Sequence, residues 1–396
     1  MPFDVVVLGG FGHVGLPLAM SLAHKGKRVC AFDINPKAGD LIAQGKMPFH
    51  ERGAEKLLGE VLRSGCLSLS LDPKVVSEAD SVIIIIGTPV GRHLNPEFEQ
   101  LRNMIDAYMP FFRDGQLIVL RSTVYPGTTE KLQAWFQDQG KKVDLAFCPE
   151  RIAEGVTLIE LETLPQIVSG FSEDGVRRSR ELFSLLTSDI VQLTPLQAEL
   201  AKLFTNVWRY IRFATANQFF MIADGHGEDF YAIHHAMTYK YDRAKDLPTP
   251  GFTAGPCLFK DTMQLAAYNN NSFFLGHAAM LVNEGLPNYV VTKLKQRCNL
   301  AESTVGILGM AYKGNIDDRR ESLSYKLKAI LTFESRRVLC SDVYISEPGF
   351  VSQEDLFRQS DILILAAPHR EYRTLQVPDD KVVIDIWNFW GKGSLI

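Results

Sequence analysis

The residue in this chain best suited to nucleophilic chemistry is Cys257. It lies in the stretch Pro248–Asp261, whose proline, glycine and small residues predict a turning loop. Lys260 and Asp261 follow three and four residues later. A thiol on a loop beside a lysine is a setting in which the thiolate becomes accessible near neutral pH; the plain alternative is a small buried cysteine in a turn. A second candidate group is Lys202 and Asn206, four apart and so on one face of a predicted helix. Glu199 and Arg209 extend that polar line, which otherwise reads as a solvated face. The other five cysteines, Cys30, Cys66, Cys148, Cys298 and Cys340, are scattered without a CxxC pair, and the nine histidines make no HExxH pattern. No metal is therefore expected, and a reduced, cytoplasmic protein fits this usage.

The elements that must position these groups begin at the N-terminus. A β-branched run over residues 4–8 enters a turn in which Gly10, Gly12 and Gly15 form G-x-G-x-x-G before an apolar helical segment. A second predicted strand, 28–32, ends at Asp33, 23 residues beyond Gly10. Such glycines let the backbone approach a pyrophosphate at a helix N-terminus, and the acid accepts from the ribose hydroxyls while repelling a 2′-phosphate. NAD is the expected cofactor. Apolar runs at 80–86, 116–120 and 145–147 read as further buried parallel strands. They end in Gly87-Thr88-Pro89, in Arg121 to Thr129 and in Cys148 to Arg151. Ligands of open α/β sheets bind beyond the carboxyl ends of strands, so Thr88, Thr123 and Glu150 are expected around the dinucleotide.

From Pro195 the period changes to that of a long helix, with Leu200, Leu203, Phe204, Val207, Ile211, Ala214 and Phe219 as its apolar stripe. Beyond a polar break near 297–303 the α/β rhythm returns. Strands at 304–308, 336–340 (ending at Asp342), 361–365 (ending in Ala367-Pro368-His369) and 382–385 repeat the order of the first half. The expected fold is α/β, two Rossmann-like doubly wound domains joined by a long central helical segment, with domains at 1–194, 195–298 and 299–396. A length of 396 residues agrees with more than one core. With 22% charged residues and a net charge of −4, nothing in the chain calls for nucleic acid or an anionic membrane. The opening apolar run passes straight into the glycine turn, so it reads as a strand rather than a secretory signal.

An NAD domain, a nucleotide-binding-like second domain and an activated thiol together point to oxidation through a thioester. An alcohol loses a hydride, a thiolate adds to the aldehyde, a second hydride leaves, and water cleaves the acyl-enzyme. The competing chemistry is a two-electron dehydrogenase of the hydroxy-acid or 6-phosphogluconate type, which needs no cysteine.

Seven ordered motifs carry a resemblance: Gly10–Pro17 (GFGHVGLP), Ser122–Thr129 (STVYPGTT), Cys148–Gly155 (CPERIAEG), Ala198–Asn206 (AELAKLFTN), Gly255–Asp261 (GPCLFKD), Leu308–Lys313 (LGMAYK) and Asp318–Ser322 (DRRES). In them the chain resembles the UDP-glucose/GDP-mannose dehydrogenase family, the nucleotide-sugar 6-dehydrogenases. The resemblance implies that Cys257 is the nucleophile and that Lys202 and Asn206 steady the oxyanion. Asp261 pairs with Lys202 and helps to activate water, and Glu150 acts as base or positioner in thioester hydrolysis. Thr123 holds the water or the nicotinamide side, Lys313 and Arg243 contact substrate, and Arg320 reaches the NAD pyrophosphate. The family's dimers, built on the central helices, make a homodimer the expectation here, with Leu203, Val207 and Ile211 as supporting residues. Two departures concern the sugar. Thr253-Ala254-Gly255-Pro256 precedes the cysteine where relatives have Gly-Gly and then Ser or His, so Pro256 removes a backbone donor. The Lys260-Asp261 ending resembles the UDP-glucose branch, whereas Pro149-Glu150-Arg151 is similar to the branch acting on N-acetylated sugars. The reading leans to a UDP-N-acetylhexosamine such as UDP-N-acetylmannosamine, with Glu150 and Arg151 at the sugar. UDP-glucose, GDP-mannose and a non-catalytic nucleotide-sugar-binding protein are the alternatives.

Overall fold

The computed structural model describes residues 2–87, 98–253, 255–377 and 380–393, so Thr88 lies outside the described residues. The chain forms two compact units, Met1–Thr205 and Asn206–Ile396.

In the first unit β1 (Phe3–Leu8), α1 (Gly15–His24), β2 (Val29–Phe32), α2 (Pro36–Ala43), α3 (Ala54–Arg63) and β3 (Leu67–Ser70) make the first half of the winding. The second half is β4 (Ala79–Ile84), α4 (Phe98–Asp106), β5 (Leu117–Leu120), α5 (Thr128–Asp138) and β6 (Asp144–Phe147). All six strands are parallel, in the order β3-β2-β1-β4-β5-β6. The winding reverses between β1 and β4, which is where such sheets bind ligands. Helices cover both faces, which is why Val5 to Leu8 and Leu117 to Leu120 are apolar without alternation and fully buried. Nine of the ten residues of α1 are buried, matching a helix apolar all round. After α6 (Thr157–Thr163), the short strands β7 (Gln166–Val168) and β8 (Ile190–Gln192) pair in parallel across α7 (Glu173–Phe183).

The helix α8 (Pro195–Gly225) has 31 residues and contains the boundary between the units. Its buried line runs Leu203, Val207, Tyr210, Ala214 and Asn217, at alternating steps of four and three. The expected stripe is corrected at Phe204 and Phe219, which are 52% and 40% exposed. Each helical residue turns by about 100°, so Phe204 falls off the line that holds Leu203. The same line corrects the expected dimer residues, because Leu203 and Val207 are buried within one protomer.

The second unit continues with α9 (Phe230–Thr238), α10 (Leu258–Tyr268), α11 (Phe274–Arg297), β9 (Thr304–Leu308), α12 (Leu323–Glu334), β10 (Arg337–Ser341), α13 (Gln353–Gln359), β11 (Ile362–Leu365) and β12 (Val382–Ile384). Its four strands are parallel in the order β10-β9-β11-β12. One core joins these helices to the sheet, with Phe220, Phe230, Leu286 and Leu294 packed among Val305, Ile307, Leu327 and Ile364. The architecture is α/β as expected, with two Rossmann-like parallel sheets and a long helical segment between them in the chain. Among the described residues no helix is long and apolar enough to cross a membrane.

Candidate active site

The three glycines of the first turn are needed for different reasons. A Cβ on Gly10 would lie 2.8 Å from Ala31 Cα, and one on Gly15 would lie 2.1 Å from the Gly9 carbonyl oxygen. Packing within the protein therefore requires both. A Cβ on Gly12 would meet nothing nearer than 3.6 Å, so the protein itself does not demand glycine there. What that glycine leaves open is the space before α1, whose first turn has no side-chain cap. Asp33, half-buried at the end of β2, is fixed against this turn. Its Oδ2 accepts from the Phe11 N–H (3.2 Å), and its Oδ1 from those of Ile34 (2.8 Å) and Asn35 (3.2 Å). An uncapped helix start, an open glycine and a strand-end carboxylate fit a dinucleotide, with the pyrophosphate on the turn and the ribose at Asp33.

At the end of β6, Glu150 is one half of a buried ion pair. Its Oε2 accepts from Arg121 Nε (2.8 Å) and also from Arg121 Nη2. Its Oε1 accepts from the N–H groups of Arg151 (2.7 Å) and Ile152 (3.0 Å). Arg121 is fully buried, donates further to the Cys148 carbonyl and Gln166 Oε1 (both 3.0 Å), and stacks over Phe183. Sequence reasoning missed Arg121. The signal was an arginine directly after an uninterrupted apolar strand, a position where a charge must find a partner. Arg151 turns its guanidinium to the Pro165 carbonyl, and burial holds it below its ordinary value. Thr123 lies half-buried in the turn after β5. Glu199 of α8 fixes the far end of that turn, accepting from Gly127 N (2.6 Å), Thr129 N (2.8 Å) and Thr129 Oγ1 (2.5 Å).

In the second unit Cys257 closes its loop as the N-cap residue of α10 and is exposed. Asp261 lies one turn further on and donates its N–H to the Cys257 carbonyl (2.8 Å). Its carboxylate is fully buried, and Oδ2 accepts from Asn206 Nδ2 of α8 at 2.6 Å. Among the described residues Oδ1 has no hydrogen-bond partner, and Lys260 Nζ stands 3.7 Å from it. Three other thiols are inert by comparison, since burial pushes Cys30 up to about 12 and Cys148 and Cys340 up to about 11. Ahead of the cysteine, Gly255 adopts φ +104°, and a Cβ there would lie 2.8 Å from the Tyr312 ring. Tyr312 is followed by Lys313, whose Nζ is 5.9 Å from the ring centroid. Beside the loop opens a cavity of about 630 Å³ lined in part by Gly255, Phe259, Arg319, Arg320, Tyr325 and Glu347. Arg320 is thereby brought next to the cysteine loop, its Nε held by both oxygens of Asp318 (3.0 and 2.8 Å). Lys202 is buried on α8 one turn before Asn206, whereas Arg243 is exposed in the turns after α9.

A glycine turn suited to a pyrophosphate, at the switch point of a six-stranded parallel sheet, defines the class: a Rossmann-type dinucleotide-binding protein. Comparison with known proteins narrows it. The NAD binding domain of the UDP-glucose/GDP-mannose dehydrogenase family matches residues 4–187, its central domain 196–284 and its UDP binding domain 306–392. A UDP-N-acetyl-D-mannosamine dehydrogenase of Methanocaldococcus jannaschii is 30% identical over 94% of this chain and 87% of its own. Two solved structures each superpose with a TM-score of 0.88 at 27% identity. They are a UDP-D-ManNAc dehydrogenase from Pyrococcus horikoshii (96% of this chain, 94% of that one) and a UDP-glucose dehydrogenase from Pyrobaculum islandicum (97% and 94%). The chain belongs to the UDP-glucose/GDP-mannose dehydrogenase family and is an NAD-dependent nucleotide-sugar dehydrogenase.

Proposed function

We propose that the protein oxidises the C6 alcohol of a UDP-sugar to the uronate, a four-electron reaction carried through a thioester on Cys257. The observation that carries this reading is the pairing of an exposed thiol at the start of α10 with the buried, half-satisfied carboxylate of Asp261 one turn below it. A helix start carries partial positive charge, which lowers the cost of the thiolate form of Cys257. NAD, when bound, takes up a hydride in each of the two oxidations. Cys257 Sγ adds to the carbonyl carbon of the aldehyde, and Lys202 with the Asn206 amide steadies the oxygen of the thiohemiacetal. Loss of the remaining C6 hydrogen as hydride leaves the thioester. A water deprotonated with the help of Asp261 then breaks the C–S bond, releasing the carboxylate and restoring the thiolate. Glu150, held on both oxygens, positions the strand-end turn that carries Arg151, and Thr123 orders the water or nicotinamide side. Gly10, Gly12, Gly15 and Asp33 hold the cofactor, with Arg320 at its periphery, while Lys313, Arg243 and Arg151 take the nucleotide sugar.

A UDP-N-acetylhexosamine, in the manner of UDP-N-acetylmannosamine, is the favoured substrate. The support is the Pro149-Glu150-Arg151 turn together with full-length relatives that carry that activity in their names. The protein acts as a homodimer. Trp208 and Ile222 on α8 and Phe274, Leu275 and Leu281 on α11 are all more than half exposed, an apolar surface that a second copy buries. A panel of UDP- and GDP-sugars scored for NADH formed per sugar, with product mass, tests the reaction and the sugar together. Two NADH and a uronate are expected from the wild type, and Cys257→Ser abolishes uronate formation. Two NADH per sugar from Cys257→Ser rules out the thioester.

A further inference from the structure

The loop carrying Cys257 is anchored six residues before the thiol, at Gly251. Asn217, a fully buried residue of α8, pairs with both backbone groups of that residue. Its Oδ1 accepts from the Gly251 N–H (2.8 Å), and its Nδ2 donates to the Gly251 carbonyl (3.1 Å). The amide thus binds the loop as a neighbouring strand would. Nδ2 also donates to Asn283 Oδ1 of α11 (2.9 Å), and Asn283 Nδ2 donates to the Tyr210 carbonyl (3.1 Å). Gly251 also packs closely against Trp387, since a Cβ there would come within 2.1 Å of the indole. Four residues later the loop is fixed again, where Gly255 packs on Tyr312 and donates its N–H to the Glu321 carbonyl (3.3 Å).

A buried asparagine spending three hydrogen bonds on one glycine and its own support is an expensive way to shape a turn, and the helix it sits on is informative. Asn217 stands eleven residues after Asn206 on α8. Asn206 contacts Asp261, and Asp261 lies one turn from Cys257. We propose that Asn217 is a positioning residue for Cys257, tying the start of the thiol loop to the helix that carries Asn206. This rests on the reading of Cys257 as nucleophile. In that reading one sulfur must meet one carbon through two oxidations, and a displacement of about 1 Å costs on the order of 10²-fold in rate.

The test compares Asn217→Ala with Asn283→Ala in the full-length protein. Both remove buried hydrogen bonds, but the second leaves both bonds between Asn217 and Gly251 in place. Hydrogen exchange of the segment 249–258 reads the clamp, and NADH per UDP-sugar with hydrazine trapping of released aldehyde reads the positioning. Asn217→Ala is expected to speed exchange and to slow uronate formation by on the order of 10²-fold, with stoichiometry falling from two NADH towards one, aldehyde appearing, and KM for NAD unchanged. Asn283→Ala is expected to keep wild-type exchange in this segment and two NADH per sugar. Unchanged exchange in Asn217→Ala, or faster exchange with stoichiometry and rate intact, overturns the proposal. Should Asn217→Ala fail to fold, Asn217→Ser, which leaves a small neutral polar group too short to span both Gly251 backbone groups, carries the same test. Two NADH per sugar from Cys257→Ser would refute the nucleophile and leave the exchange result as a separate measure of the clamp.

Discussion

Replacing Glu150 by glutamine separates a proton acceptor from a structural tie. The wild-type carboxylate accepts four N–H groups, two from Arg121 on one oxygen and two from the backbone of Arg151 and Ile152 on the other. Glutamine has one acceptor oxygen. If that oxygen stays with the backbone pair, its NH₂ faces the donors of Arg121, a guanidinium with no exposed surface. Leaving one member of a buried ion pair without its counter-charge costs about 3–5 kcal/mol. For a folding unit of this size each kcal/mol moves Tm by about 2–4 °C, so a drop of roughly 6–20 °C is expected. Removing both charges in Glu150→Gln/Arg121→Met recovers part of that loss, because no unpaired charge remains buried. The assays are thermal unfolding and the pH dependence of kcat at a temperature where the variant is folded. A positioning role predicts a profile of unchanged shape. A Tm within about 1 °C of wild type, together with loss of the acidic limb of the rate profile, refutes the reasoning and makes Glu150 the base.

Two further substitutions test the cofactor turn and its support. Gly12→Ala should fold with a stability within about 0.5 kcal/mol of wild type, since its Cβ meets nothing within 3.6 Å, yet it should raise KM for NAD in steady-state kinetics. Burial, only partly offset by the hydrogen bonds from Thr129 and Gly127, holds the Glu199 carboxyl above its ordinary 4.5. A raised acid favours its protonated form in the folded state, so stability is lost as pH climbs from the unfolded value through the folded one. The stability of wild type relative to Glu199→Gln, from urea unfolding at a series of pH values, should therefore be greatest below about pH 4.5 and smaller at pH 7.

Which parts of this protein were legible in the sequence follows from the range of the interactions. The β1, β2, β4 and β5 runs announce themselves because a parallel strand covered on both faces is apolar throughout. The Leu-Ser-Leu-Ser of β3 lies at the sheet edge, lacks β-branched residues and carries no such signal. The candidates Cys257 and Asp33 could be picked out from residue type and spacing, and Lys313 from the family resemblance. Their supports could not: Arg121 meets Glu150 across 29 residues of chain and Asn217 meets Gly251 across 34, and no local pattern encodes either pairing. The helical stripe failed at Phe204 and Phe219 for a related reason, since apolar residues meant for another surface look the same in sequence as those meant for the core.

The two sheets use one device to opposite ends. Asp342 follows β10 as Asp33 follows β2, and it likewise accepts from the glycine turn ahead of it, through the N–H groups of Met310 (2.6 Å) and Ala311 (3.2 Å). As whole residues Asp33 and Asp342 are both half-buried. Asp342 has no exposed side-chain surface, because His369, itself fully buried, donates from Nε2 to Oδ2 (3.0 Å). The His369 tautomer is fixed by the Asn315 N–H, which Nδ1 accepts at 2.9 Å. Tyr344 and Ile345 occupy the remaining oxygen. A carboxylate sealed under an imidazole has nothing to offer a ribose, so the second sheet keeps the Rossmann frame while its acid becomes an internal brace for the turn that bears Lys313.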